Sequence, residues 1–194
     1  MLDLQPELLR QCMGCSTARA NTWAEPMRAA LAYAGISTPR RLAHWLSQLG
    51  HESGNMQWVV ELWGPTPQQR KYEPGTKLAA ALGNTAPGDG FRYRGRGLIQ
   101  VTGRANYRRV TRGLRARLQG VPDFEARPQD LADPHWAALS AAEFWRANKL
   151  NLHADADDAL VLTKRINGGL NGYADRLTRL GRAKSTLLLE GYGL

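Results

Sequence analysis

The stretch Gly88-Asp89-Gly90-Phe91-Arg92-Tyr93-Arg94-Gly95-Arg96-Gly97-Leu98-Ile99-Gln100-Val101-Thr102-Gly103-Arg104-Ala105-Asn106-Tyr107 is the most informative part of this 194-residue chain. Its glycines are too dense for a helix and let the backbone turn tightly or approach a ligand closely. Within it, Leu98–Thr102 alternates apolar and polar residues, the period of a half-buried strand, which puts Gln100 and Thr102 on one face. A polar pair held beside a glycine turn suits a hydroxyl-rich substrate. From 104 to 118 the period becomes helical: Tyr107, Val110, Leu114 and Leu118 form an apolar stripe, and Arg108, Arg112 and Arg115 a basic one.

Outward from this stretch the chain reads as mainly helical, without repeats or low-complexity linkers. Further helices are predicted over 6–13, 22–34, 39–53, 76–82, 134–148, 157–166 and 173–189, and Thr38 before Pro39 is a good helix start. The long irregular stretches are 63–75, 83–97 and 120–133; loops of that length in a compact domain are often functional. In the helix over 39–53, Leu42, Trp45, Leu46, Leu49 and then Glu52 fall on one face. A carboxylate that continues an apolar stripe is costly to bury unpaired. Gly54 looks like the helix stop, so Glu52 sits at the negative end of the macrodipole. Both features favour the protonated form, which is what a general acid needs.

The run from Gly88 to Tyr107, with His51-Glu52-Ser53-Gly54 upstream in matching order and spacing, closely resembles the signature of glycoside hydrolase family 19, the chitinases and the phage endolysins built on the same lysozyme-like fold. Arg165-Ile166-Asn167-Gly168-Gly169 resembles the family's second short motif. The resemblance implies a mainly α, lysozyme-like two-lobed domain with a small β element beside the active-site cleft. It further implies one catalytic domain over residues 1–194, with no separate wall-binding domain, and inverting hydrolysis of a β-1,4 glycosidic bond without metal or cofactor.

Glu52 then stands in the general-acid position. A second carboxylate must face it across the scissile bond, and Glu61 and Glu73 both qualify. Asp89 is a weaker third, because Asp in Gly-Asp-Gly usually serves turn geometry. Endolysin-type members carry a second catalytic Glu shortly after the first, which favours Glu61; plant-type chitinases carry theirs farther along, closer to Glu73. Inversion asks for carboxyls roughly 6.5–9.5 Å apart. By resemblance, Thr102 positions the attacking water, Gln100 and Asn106 hydrogen-bond sugar N-acetyl groups, Tyr107 is a cleft-wall aromatic, Asn167 faces the cleft and Arg176 corresponds to a cleft arginine that tunes the carboxylates. Trp63-Gly64-Pro65-Thr66 departs from the asparagine-rich loop of relatives.

The chain is long enough for one sizeable core, possesses no run of eighteen apolar residues, and begins Met1-Leu2-Asp3-Leu4 without the basic leader and apolar segment of a secretory signal. The expectation is residence in a host cytoplasm until lysis, followed by action on the cell wall. A formal charge of +9, with nine arginines between Arg92 and Arg117, implies a polyanionic partner. Peptidoglycan is the expected substrate and an anionic wall or outer-membrane surface the expected docking partner, with chitin as the alternative substrate. No nucleic-acid partner is expected, and the protein reads as a monomer. A zinc peptidase is disfavoured, because Asn55 stands where the second histidine of H-E-x-x-H belongs and His44, His135 and His153 lack ligand spacing. Cys12 and Cys15 read as reduced structural thiols, since no second ligand pair accompanies them. A non-catalytic wall-binding module would bind glycan yet release no reducing ends.

Overall fold

The computed structural model describes residues 3–194; Met1 and Leu2, part of the leader reading, lie outside the described residues. The chain forms α1 (Pro6–Met13), α2 (Thr17–Ala34), α3 (Pro39–Ser53), α4 (Pro67–Arg70), α5 (Lys77–Leu82), α6 (Asp89–Arg92), α7 (Arg104–Arg115), a 3-10 turn (Pro128–Ala132), α8 (Pro134–Ala147), α9 (Asn151–Asp155), α10 (Ala159–Asn167) and α11 (Tyr173–Leu189). Helix α2 begins five residues before the predicted start because the Ser16 hydroxyl caps the Arg19 N–H, and Pro26 is carried inside the helix. Helix α4, inside an expected loop, is set by a capping box in which Thr66 and Gln69 bond each other's backbone N–H groups.

Helix α3 is more deeply placed than an amphipathic stripe predicts. Every residue from Leu42 to Gly50 is buried, including His44, Ser47 and Gln48. Each of these polar side chains has a partner from another helix or turn: His44 Nε2 lies 2.7 Å from Asp157, Ser47 Oγ donates to the Arg176 carbonyl at 2.7 Å, and Gln48 accepts from Arg176 at 2.6 Å. Most buried polar groups are matched in this way, although His44 Nδ1 and Trp45 Nε1 have no partner among the described residues. Helix α3 packs on α11 and α2 packs on α8. Trp45 of α3 meets Trp145 of α8 edge to face with centroids 5.3 Å apart, and truncating a buried tryptophan of this kind to alanine costs about 3–5 kcal/mol.

Two apolar cores result. The larger joins α1, α2, α3, α8, α10 and α11; the smaller gathers Tyr93, Val101, Tyr107, Val110, Leu114, Phe124 and Leu131 around α7. Tyr33 and Ile99 pack against both and tie the lobes together. The expected strand over Leu98–Thr102 is instead a turn. Only two isolated antiparallel bridges form, Val60 with Arg96 and Arg96 with Val101, and Gly97–Gln100 fold back between them. Gln100 takes a left-handed conformation at φ 53°, incompatible with a continuous strand. Among the described residues, no helix is long and apolar enough to cross a membrane.

Candidate active site

Glu52 lies in the last turn of α3, and the chain leaves it abruptly. Gly54, Asn55 and Met56 all have positive φ, at 56°, 58° and 64°. Left-handed conformations at two non-glycine residues are strained and persist only where the surroundings hold them. Here Ser53 Oγ donates to the Leu49 carbonyl at 2.6 Å and accepts from the Met56 N–H at 2.8 Å, while Arg179 of α11 holds the Asn55 carbonyl oxygen of the side chain. Helix α11 also supplies Arg176, whose fully buried guanidinium donates to Gln48 Oε1 and to Glu52 Oε1. Gln48 and Glu52 are one helical turn apart, so a single arginine reaches both. The carboxylate that seemed unpaired in the sequence therefore has a partner; its side chain stays 18% exposed, and Glu52 Oε2 accepts no hydrogen bond among the described residues.

Glu61 is supported differently. Residues 59–61 run beside 95–97, with Gly97 N–H on the Val59 carbonyl at 2.9 Å and Glu61 N–H on the Gly95 carbonyl at 2.8 Å. The Glu61 carboxylate accepts from the Gly95 N–H at 2.9 Å and from Gln69 Nε2 at 2.9 Å, with the Tyr72 hydroxyl 3.5 Å away. Burial, the Glu61 charge and this contact together push the Tyr72 phenol upward. Gln69 is buried and fully used: its amide oxygen takes the Gly64 and Thr66 N–H groups, and its amide nitrogen also bonds the Leu62 carbonyl.

Gly95 is where the polar residues converge. A methyl group there would sit 2.5 Å from Gln100 Oε1 and 3.3 Å from both Glu61 Cβ and Thr102 Oγ1, so only glycine lets the three side chains share this space. Thr102 Oγ1 donates to the Gln100 carbonyl at 2.9 Å, and Gln100 Nε2 bonds the Trp58 and Gly97 carbonyls at 3.2 and 3.1 Å. Trp58 links the two carboxylate-bearing segments, because its indole lies against Gly54 while its carbonyl accepts from Gln100. It is 48% exposed.

The other sequence candidates separate. Glu73 accepts from the Gly88 N–H at 2.8 Å and packs against Gly90 at the start of α6, and it shares no hydrogen bond with Glu61, Gln100 or Thr102 among the described residues. Asp89 is buried, takes the Thr85 and Ala86 N–H groups at 2.8 and 3.0 Å, and pairs with Arg104 at 2.6 Å. Burial raises its carboxyl, but Arg104 and those two N–H groups outweigh this and hold it below the usual range. Asn106 lies beside Thr102 and donates to its carbonyl at 2.6 Å. Tyr107, expected on the cleft wall, is fully buried in the smaller core instead. Its hydroxyl donates to the Arg94 carbonyl at 2.6 Å and accepts from Arg96 at 2.8 Å, and burial pushes its phenol up to about 12. The α7 apolar stripe that identifies it also carries it inward. Asn167 is exposed at the end of α10. Arg176 is too deeply buried to touch a substrate and acts on Glu52.

Several neighbours of the site carry no signature of their own in the sequence. Tyr72 and Gln48 are examples; Gln69, by contrast, carries the Thr-x-x-Gln capping pattern. Trp63 packs between Tyr72 and Phe91, with centroids 6.2 and 5.5 Å away; Phe91 is 50% exposed and lies under the Arg94 guanidinium. A cleft of about 270 Å³ is lined by Gln100, Thr102, Asn106, Arg109, Phe144 and Asn148, among others.

No family model matches the chain. A glycosyl hydrolase family 19 domain-containing protein of Haemophilus influenzae is 34% identical over 167 residues, covering 74% of this chain and 78% of that protein. Two endochitinases of Arabidopsis thaliana are 30% and 32% identical over 81% and 71% of this chain, which spans only 54% and 42% of their length. Among solved structures, chitinase C from Streptomyces griseus HUT6037 superposes with a TM-score of 0.68 over 95% of this chain and 92% of its own, at 18% identity. A bacterial family 19 chitinase gives 0.67 over 100% and 98%, also at 18% identity. These two likenesses show the lysozyme-like helical fold. The Haemophilus relative, alike over most of both chains, shows more than a fold: this chain belongs to glycosyl hydrolase family 19.

Proposed function

We propose that this glycoside hydrolase cleaves β-1,4 bonds of N-acetylhexosamine glycans of the chitin type with inversion, residues 1–194 acting as one catalytic domain. Glu52 is the general acid, Glu61 the general base and Thr102 the residue that orients the attacking water. The observation that carries this reading is the convergence of Glu61, Gln100 and Thr102 on Gly95, tied through Trp58 to the turn after Glu52. Glu52 Oε1 is engaged by Arg176, so Oε2 is the oxygen that delivers a proton to the leaving group. Glu61 removes a proton from water on the opposite face of the sugar. The Thr102 hydroxyl, which donates to the Gln100 carbonyl, keeps its lone pairs for that water. Gln100, Asn106 and Asn167 are assigned to the sugar amides. Glu73 is a brace for the glycine-rich loop.

The test is product stereochemistry on N-acetylglucosamine oligomers. The first product should be the α-anomer, new reducing ends should disappear with Glu52→Gln, and Thr102→Ala should lower kcat more than it raises KM. A β-anomer, or a covalent adduct on Glu61, would sink the assignment.

A second reading, peptidoglycan hydrolysis after release from a host cytoplasm, is favoured by one observation: the charge of +9 and the exposed arginines on α7. Exposed charges are screened by salt. Binding to whole cell walls should therefore weaken with salt while hydrolysis of neutral oligomers changes little, and salt-independent wall binding would argue against this reading.

A further inference from the structure

Helix α7 carries arginines of two kinds. Arg104 is paired with Asp89, and Arg108 with Glu125 through two hydrogen bonds of 2.6 Å. Arg109 is exposed, lines the cleft beside Gln100 and Thr102, and has no carboxylate within 4.0 Å among the described residues. Its guanidinium is nevertheless aimed. It donates to Asn106 Oδ1, and Asn106 Nδ2 donates in turn to the Thr102 carbonyl at 2.6 Å. The cation is thus tethered through one side chain to the residue assigned to the water. The acid that also lines this cleft, Glu143, is spent: Tyr33 donates to it at 2.6 Å and Arg146 at 2.8 to 3.0 Å. Apolar groups from Leu82, Val110, Phe144 and Ala147 complete the walls. The result is an apolar recess with one oriented, unmatched positive fork at its rim. A guanidinium in that state selects a planar anion, and a carboxylate fits it with two parallel hydrogen bonds.

We infer that Arg109 is a specificity-determining residue that pairs with a carboxylate carried by the bound sugar itself, so that the cleft prefers glycans of acidic amino sugars, such as those bearing a lactyl ether, over neutral N-acetylglucosamine chains. This rests on the proposal above that Gln100 and Asn106, which line this cleft, bind the sugar amides, and on the substrate it sides with the second reading, peptidoglycan. Asn106 holds the fork in place, Asn148 in the same lining is neutral, and the one carboxylate of the lining, Glu143, is already matched by Arg146 and Tyr33.

The experiment compares two probes: peptide-free peptidoglycan strands, whose muramic acid lactyl groups are free carboxylates, and the N-acetylglucosamine hexamer. The ratio of kcat/KM for strands over hexamer should fall about tenfold in Arg109→Gln, chiefly through KM, and by less in Arg109→Lys, which keeps the charge but not the fork. Added salt should move the wild-type ratio toward that of Arg109→Gln. An unchanged ratio, an equal loss on both probes, or a wild-type enzyme that turns over the hexamer and not the strands would overturn the inference. Binding to both probes is measured in parallel with the Glu52→Gln protein, with and without Arg109→Gln. If the wild type hydrolyses neither probe, the hydrolytic reading falls alone; Arg109→Gln weakening strand binding more than hexamer binding still upholds this inference, and equal effects on both overturn it.

Discussion

Glu52 stands on the last turn of a helix buried from Leu42 to Gly50 and is gripped from α11 by one guanidinium, whereas Glu61 stands on a bridge-paired loop and is gripped by uncharged donors, the Gly95 N–H and the Gln69 amide. The first arrangement fixes position through the main core and leaves one carboxylate oxygen free. The second occupies both oxygens, relies on a short loop and a capping box, and borrows its rigidity from the glycine-rich segment. Two carboxylates of one chain can therefore be held by different supports, one by a buried charge and one by fixed dipoles.

The largest effect expected from breaking this comparison is on turnover. Glu52→Gln should lower kcat by about 10²–10⁴-fold, the range for loss of a general acid or base, with the fold retained by circular dichroism. Glu61→Gln should be comparable, and Glu73→Gln should cost far less. A dead Glu73→Gln protein with a near-normal Glu61→Gln protein would reverse the assignment of the base.

Next in size is the support of Glu52. Arg176→Met removes a buried cation from between Gln48 and Glu52, and urea unfolding should show a loss of about 3–5 kcal/mol, as for other broken buried pairs. Gln69→Ala removes the matching support of Glu61 together with half of the capping box, and should cost about 1–2 kcal/mol. Equal losses would mean that the two carboxylates are not held as differently as the contacts imply.

Gly95→Ala sharpens the same point with a dissociation of stability from activity. The added methyl meets the far end of the Gln100 side chain, which can swing away, so the melting temperature should fall little. The displaced Gln100 and crowded Glu61 and Thr102 should lower kcat/KM by about tenfold or more. A large fall in melting temperature with normal turnover would contradict the view that Gly95 is kept for the site.

The smallest effect is the acid response of the small lobe. Arg108 hydrogen bonds hold Glu125 below the usual carboxylate range, and Asp89 is lowered too, since Arg104 and backbone N–H groups outweigh its burial. Because both folded values lie below the unfolded ones, their stabilisation is complete above the unfolded range, near neutral pH, and is lost as pH falls through the folded values, below about pH 4. Hydrogen exchange should show amides of α6 and α7 opening in acid before those of α3, and Arg108→Gln should weaken the part of this response that comes from Glu125.

What the chain's local order determined is whatever depends on neighbours within a few residues. Thr38-Pro39 starts α3 and Gly54 ends it, so Glu52 was identifiable on the last turn; α1, α3 and α11 span the predicted residues. The density of glycine around Gly95 marked the site for the same reason, since a residue without a side chain is required wherever other side chains or the backbone must come close. Tertiary structure decided the rest. Alternation over Leu98–Thr102 has the period of a strand, but Ile99 packs against both cores, Val101 is buried in the smaller one, and Gln100 turns back at positive φ. The stripe on α7 marked Tyr107 as apolar without saying that burial would remove it from the cleft. Arg176, 124 residues after Glu52, and Gln69, eight after Glu61, become partners only when α11 and the capped loop are in place. Periodicity reports which face of an element is apolar, whereas a partner for a buried charge comes from whatever the packing of distant segments brings within hydrogen-bond reach.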